Sequence, residues 1–248
     1  MPQLKLPPPT ATVSDLLDSA TTVFRMTLAK VLPFELFAAL LLGLPRMYWM
    51  TTGKPFDLLH PPLDPRFWAL AVIGLVAYQF LAAIVMLRQR VMLDGGAPDL
   101  VREATAALRR WPMLLATYVL GSLATYAGCL LLVIPGLYLF ICLLLMRPVV
   151  LFETHGPVQA LVRCVRLVRP NWPKFMAAAV IALLIVLVCM IAAGACLGIL
   201  HAVVSAAGAD AAAFNAFAAA CQVGVDAVAL VYFNALWLVL YSVASSSA

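Results

Sequence analysis

The sequence predicts an all-α polytopic membrane protein, with six transmembrane helices and three amphipathic cytoplasmic helices in repeated helix-plus-hairpin units. Three observations carry this. Of the 248 residues, 65% are hydrophobic and only 11% are charged, where soluble domains have about a quarter charged. Several apolar runs reach the roughly 20 residues needed to cross a hydrocarbon core of about 30 Å. Basic residues, finally, gather in alternate connecting segments, as cytoplasmic loops require. The whole of 1–248 reads as one integral membrane domain, with a mean hydropathy of +1.03.

The first predicted span, 31–50, opens at Pro33, and the second covers 67–87. The third, 113–134, follows Pro112, and the fourth, 137–152, follows Pro135-Gly136 with no polar loop between. Such a Pro-Gly step suits a tight turn near the interface. The fourth span is short unless it stands nearly upright. The fifth, 175–200, follows Pro173, and the sixth is 216–242. Asp210 suits the cap of a final helix over 211–243.

Charge then sets the orientation. Segments 1–30, 88–112 and 147–174 hold thirteen basic residues, among them Arg25, Lys30, Arg88, Arg110 and Arg169. The opposite connections hold three, Arg46, Lys54 and Arg66. The rich segments therefore face the cytoplasm of a bacterial inner membrane, with both termini inside.

Each cytoplasmic segment carries an amphipathic helix. Val13, Leu16, Leu17, Ala20, Val23 and Phe24 recur at helical spacing in the first. Leu100, Val101, Ala104, Ala107 and Leu108 do so in the second, opposite Arg102, Glu103 and Arg109. Val158, Leu161, Val162, Val165 and Val168 form the third stripe, opposite Arg163, Arg166 and Arg169. Residues 14–25 align without gaps to 98–109, with five of twelve positions identical, Asp15/Asp99 and Arg25/Arg109 among them. With a weaker third copy, the expected repeats are 13–87, 97–152 and 157–242.

The run LLLVIPGLYLFICLLLMRPVVLFETHGPVQALVRCVRLVRPNWPKF at 130–175 combines a Pro-Gly turn, an apolar span ending in Pro-Val-Val, and a basic amphipathic helix before Asn171-Trp172. It resembles the YciC-type family of bacterial inner-membrane proteins. More remotely it is similar to the membrane domain beside some glycerophosphodiester phosphodiesterases. The resemblance implies fold and location, and no catalytic residues.

Ionisable residues inside spans are expensive and are the first functional candidates. Asp226 shares an arc of the last span with Gln222, Asn234 and Tyr241, a stripe able to line a polar crevice. Placement in the interior and at the outer interface stand as alternatives for Asp226. Glu35 sits just after Pro33, where a carboxylate favours a helix N-terminus, and interfacial anchoring is its simplest role. Arg147 is expected to snorkel to the interface, with an ion pair to Glu153, Glu35 or Asp226 as the alternative. Arg102, Arg109, Arg163 and Arg166 are the candidate headgroup contacts for anionic lipid.

Other classes fit poorly. The net charge of +5 flanks apolar runs and does not form a basic soluble face, which argues against nucleic acid. The six cysteines include no C-x-x-C and read as small hydrophobes, so neither a metal set nor a cofactor is expected. Zinc-protease, nucleophile-elbow, Walker and dinucleotide motifs are missing, and no enzyme activity is expected. The expected function is noncatalytic bilayer or envelope organisation through lipid contact. The alternative is a small transporter or channel around Asp226, although no span shows an unwound centre in sequence. A homo-oligomer is compatible with the chain, which carries no motif specifying one.

Overall fold

The computed structural model describes residues 7, 8, 10–52, 63–131, 133–153, 156–206 and 211–246. Among them all regular structure is helical: α1 (Val13–Thr51), α2 (Pro65–Leu93), α3 (Leu100–Leu131), α4 (Val133–Leu143), α5 (Met146–Phe152), α6 (Pro157–Val168), α7 (Trp172–Ala206) and α8 (Ala211–Ser246). Five helical stretches are long and apolar enough to cross a membrane, and 136–152 forms a shorter apolar one. This is a multi-pass architecture.

Caps follow local chemistry. At the start of α1, the Thr12 hydroxyl and the Asp15 carboxylate each take the other residue's backbone N–H, at 3.3 and 2.8 Å. At α3, Asp99 itself accepts from Val101 N–H at 3.0 Å. The aligned Asp15 and Asp99 thus cap their helices from different positions. The C-terminus of α2 closes on Gly95 at φ 78°, whose N–H reaches the Met92 carbonyl at 3.2 Å. The left-handed backbone there suits glycine.

Four expectations change. First, the first two amphipathic segments are not separate helices. α1 runs through Pro33 and α3 through Pro112 without interruption. At 39 residues α1 is about 58 Å long, roughly twice the hydrocarbon core. A proline inside such a helix loses one backbone bond, which neighbouring helices can offset. The third amphipathic helix, α6, does stand alone, joined to α7 by a 3-10 turn at Arg169–Asn171.

Second, burial follows the expected stripe only on α1, where Leu16, Ala20 and Val23 are buried. On α6 the buried residues are Ala160, Cys164, Leu167 and Val168, while Val158 and Val162 of the expected stripe are exposed. Glu103, assigned to the polar face of the second stripe, is buried, while Val101 and Leu108 are exposed.

Third, Pro135-Gly136 does not form the expected turn between the third and fourth spans but lies inside α4. Gly136 instead permits close approach: a Cβ there would stand 2.7 Å from the backbone nitrogen of Cys129 on α3. Fourth, the fourth span is discontinuous. It breaks at Leu144–Leu145, between α4 and α5, directly before Arg147.

The core joins the N-terminal half of α1 to α2, α3, the end of α4, α5, α6, the start of α7 and the C-terminal half of α8. Beyond Ala182, α7 is apolar on every side and largely exposed, as a helix facing lipid would be. Asp210 lies outside the described residues.

Candidate functional site: a buried arginine network beside a cavity

Four helices converge on one polar cluster. Arg147, in the first turn of α5, donates from Nη1 to Asn234 Oδ1 on α8 at 2.7 Å. Its Nη2 donates to Gln79 Oε1 on α2 at 2.9 Å. Asn234 Nδ2 in turn donates to Glu35 Oε1 on α1 at 2.6 Å. The Asn234 amide thus accepts from the cation and donates to the carboxylate, which satisfies both of its ends. Rings complete the shell: the guanidinium carbon lies 5.3 Å from the Tyr78 ring centre and 5.5 Å from that of Trp237.

Burial is nearly complete. Glu35, Gln79 and Asn234 are 0–2% exposed and Arg147 is 8% exposed. Arg147 therefore does not snorkel outward. Glu35 is not at a helix start, because α1 continues through Pro33 and places it in mid-helix. Among the described residues no carboxylate makes a direct ion pair with Arg147, and Glu35 Oε2 has no hydrogen-bond partner.

A cavity of about 400 Å³ opens on the same arginine. One wall is a single face of α3, where Leu114, Tyr118, Gly121, Ser122, Thr125 and Tyr126 follow helical spacing. The opposite walls include Tyr78, Gln79, Arg147 and Trp237. Among the described residues, the hydroxyls of Tyr118, Ser122, Thr125 and Tyr126 make no hydrogen bond to protein. The α4–α5 break contributes Leu144 and Met146. Two lining rings, Tyr126 at 71% and Phe140 at 52% exposure, lie on the outside of the bundle. The cavity therefore opens sideways, onto the surface that hydrocarbon would cover. A second, apolar cleft of about 860 Å³ runs between α1, α7 and α8, with Arg25 in its wall.

The other candidates fall elsewhere. Glu153 binds Arg163 Nε at 3.0 Å and accepts from the Tyr241 hydroxyl at 3.2 Å. Arg110 closes that corner by donating to the carbonyls of Val150 at 3.1 Å and Glu153 at 2.6 Å. Arg163 is thus already engaged, whereas Arg102, Arg109 and Arg166 are exposed. Gln222 donates to Asp226 at 3.0 Å within α8, and both are half-buried. Asp226 touches neither Arg147 nor either cavity, so the expected stripe from Gln222 to Asn234 splits into two separate groups.

Three participants escaped the reading of the sequence. Gln79 is an amide in an apolar run, a signal that intramembrane polarity alone provides. The hydroxyl face of α3 is visible as a periodic stripe once Tyr118, Ser122 and Thr125 are set on a wheel. The buried pair of Arg88 Nε and Glu103 Oε2, at 2.8 Å, joins residues of two different helices. Arg88 also donates to the Lys30 carbonyl at 3.2 Å and lies 4.5 Å from the Phe34 ring centre.

No family model, no curated protein and no solved structure matches this chain.

Proposed function

We propose that the protein is a noncatalytic, six-span protein of a bacterial inner membrane, with both termini cytoplasmic, that interacts with anionic lipid. The carrying observation is a mixed basic and apolar surface. Arg102, Arg109 and Arg166 are exposed beside exposed Val101, Leu108 and Val162. A headgroup boundary accommodates both kinds of side chain at once. Arg88 donates to the Lys30 carbonyl and Arg110 to the Glu153 carbonyl, contacts that join the three basic segments to one another. Segments joined in this way can meet one leaflet together. This is the location that the YciC-type resemblance implies.

The test is retention of phosphatidylglycerol through detergent exchange, with Arg102, Arg109 and Arg166 changed together to Gln. Retention should fall by about 1 kcal/mol of binding per arginine lost. Unchanged retention in a folded variant would overturn the reading. Arg163 is left intact, since its guanidinium is engaged by Glu153.

A second reading, transport of a small anionic or amphiphilic substrate, is favoured by the discontinuous α4–α5 beside a largely apolar cavity that holds Arg147. It moves the expected crevice from Asp226 to Arg147.

A further inference from the structure

We infer that the cavity beside Arg147 is a binding site for a single oxyanion, a phosphate or carboxylate, carried on an amphiphile that enters from the bilayer. The inference rests on the lipid-interaction reading above and names its ligand site.

The chemistry starts from the guanidinium. It has five N–H donors in a planar fork suited to phosphate and carboxylate. Its two hydrogen bonds at 2.7 and 2.9 Å go to neutral amides. The nearest carboxylate in the network, Glu35, is reached only through Asn234. A cation inside a membrane bundle, facing an open cavity with no anion bonded to it directly, is an incomplete site. An oxyanion completes it.

The remaining walls select the rest of the ligand. Tyr118, Ser122 and Thr125 present hydroxyls without partners among the described residues, suited to phosphate oxygens or a polyol headgroup. Leu114, Leu143, Leu144 and Met146 supply apolar contact. A cavity of this size with a few convergent polar groups falls within the range of small-molecule sites. The exposed rings of Tyr126 and Phe140 mark the mouth on the lateral face of the bundle. A ligand entering there comes with an apolar tail, which can remain in the hydrocarbon beyond Tyr126.

Native mass spectrometry of the full chain in detergent tests this, with phosphatidylglycerol or diacylglycerol, which lacks the oxyanion, added. The wild type should keep one phosphatidylglycerol after exchange and no diacylglycerol. Arg147→Gln should bind it about tenfold or more weakly, the loss expected for hydrogen bonds to a charged group. Ser122→Leu, which fills the cavity and leaves the network untouched, should lose the same adduct with its thermal midpoint preserved. Glu35→Gln deletes the compensating charge behind Asn234 and should tighten binding, where a purely structural carboxylate would loosen it. Competition by millimolar inorganic phosphate would support the oxyanion site and assign it to a free anion. Failure to compete would support the amphiphile as its source.

The inference fails if Ser122→Leu retains the wild-type adduct, or if diacylglycerol is kept equally well. The triple Arg102, Arg109 and Arg166 variant separates the two readings. It should lose weak multiple adducts and keep the single tight one, whereas Ser122→Leu should do the reverse.

Discussion

Asn234 and Glu35 lie 199 positions apart in the chain and share a 2.6 Å hydrogen bond with no solvent access to either side chain. That bond ties the first described helix to the last. Through the other end of the same amide it also carries Arg147.

Asn234→Leu should therefore cost more than its two hydrogen bonds. An interhelical bond in a membrane contributes about 0.6–1.7 kcal/mol, whereas stranding buried ionic partners costs about 3–5 kcal/mol. We expect the larger figure, read as the loss of unfolding free energy in detergent. The triple change Glu35→Gln, Arg147→Met and Asn234→Leu should recover most of it. A loss near 1 kcal/mol without recovery would show that the ends do not depend on the amide.

The Arg88–Glu103 pair should behave as a buried lock between α2 and α3. With side-chain exposures of 10% and 3%, Arg88→Ala should destabilise by about 3–5 kcal/mol, because Glu103 is left charged and unpaired. Arg88→Met with Glu103→Leu should be close to neutral. A double-mutant cycle with no coupling energy would contradict the ion pair.

Close helix approach predicts a sharp contrast among glycines. At Gly136 an added methyl meets the Cys129 backbone, at 2.7 Å from N and 2.8 Å from Cα, and at Gly74 it meets the Leu41 carbonyl oxygen. Backbone cannot swing aside as a side chain can, so either glycine changed to alanine should cost about 1–3 kcal/mol. Gly43→Ala and Gly194→Ala meet nothing within 4 Å and should be neutral or slightly stabilising. Thermal midpoints of the four variants decide this, and equal shifts would refute the contact.

Asp226 separates from Arg147 in the structure, and the same should hold in energetics. Its hydrogen bond from Gln222, at 3.0 Å, lies within a single helix. Asp226→Asn should change stability by no more than about 0.5 kcal/mol, and Arg147→Gln should not alter that value. A large loss rescued by the arginine change would join the two residues after all.

Topology is checked by reporter fusions. Gly95 and Gly156, in the two basic connections, should report cytoplasm, while Thr52 at the end of α1 should report the outside. A cytoplasmic signal at Thr52 would reverse the orientation.

The membrane class was legible because transfer into hydrocarbon sums over local composition. A run such as 175–200 is apolar whatever it packs against, and α7 indeed forms there. Proline positions were legible as chemistry and misleading as boundaries. Pro33 and Pro112 sit inside continuous helices, where surrounding helices can offset one lost backbone bond.

Partner choice was a different matter. Glu35, Arg147 and Asn234 stood out by the expense of polar groups in lipid, a property each residue carries alone. That they meet one another and Gln79, while Asp226 stays apart with Gln222, depends on helix rotation and crossing. Those are set by packing details such as the Gly74 and Gly136 contacts and the break before Arg147. The sequence by itself determined which segments belong in a bilayer and which residues are costly there, since both are local transfer free energies. Only the tertiary structure decided which costly residues offset one another, because each pairing depends on the relative placement of at least two helices.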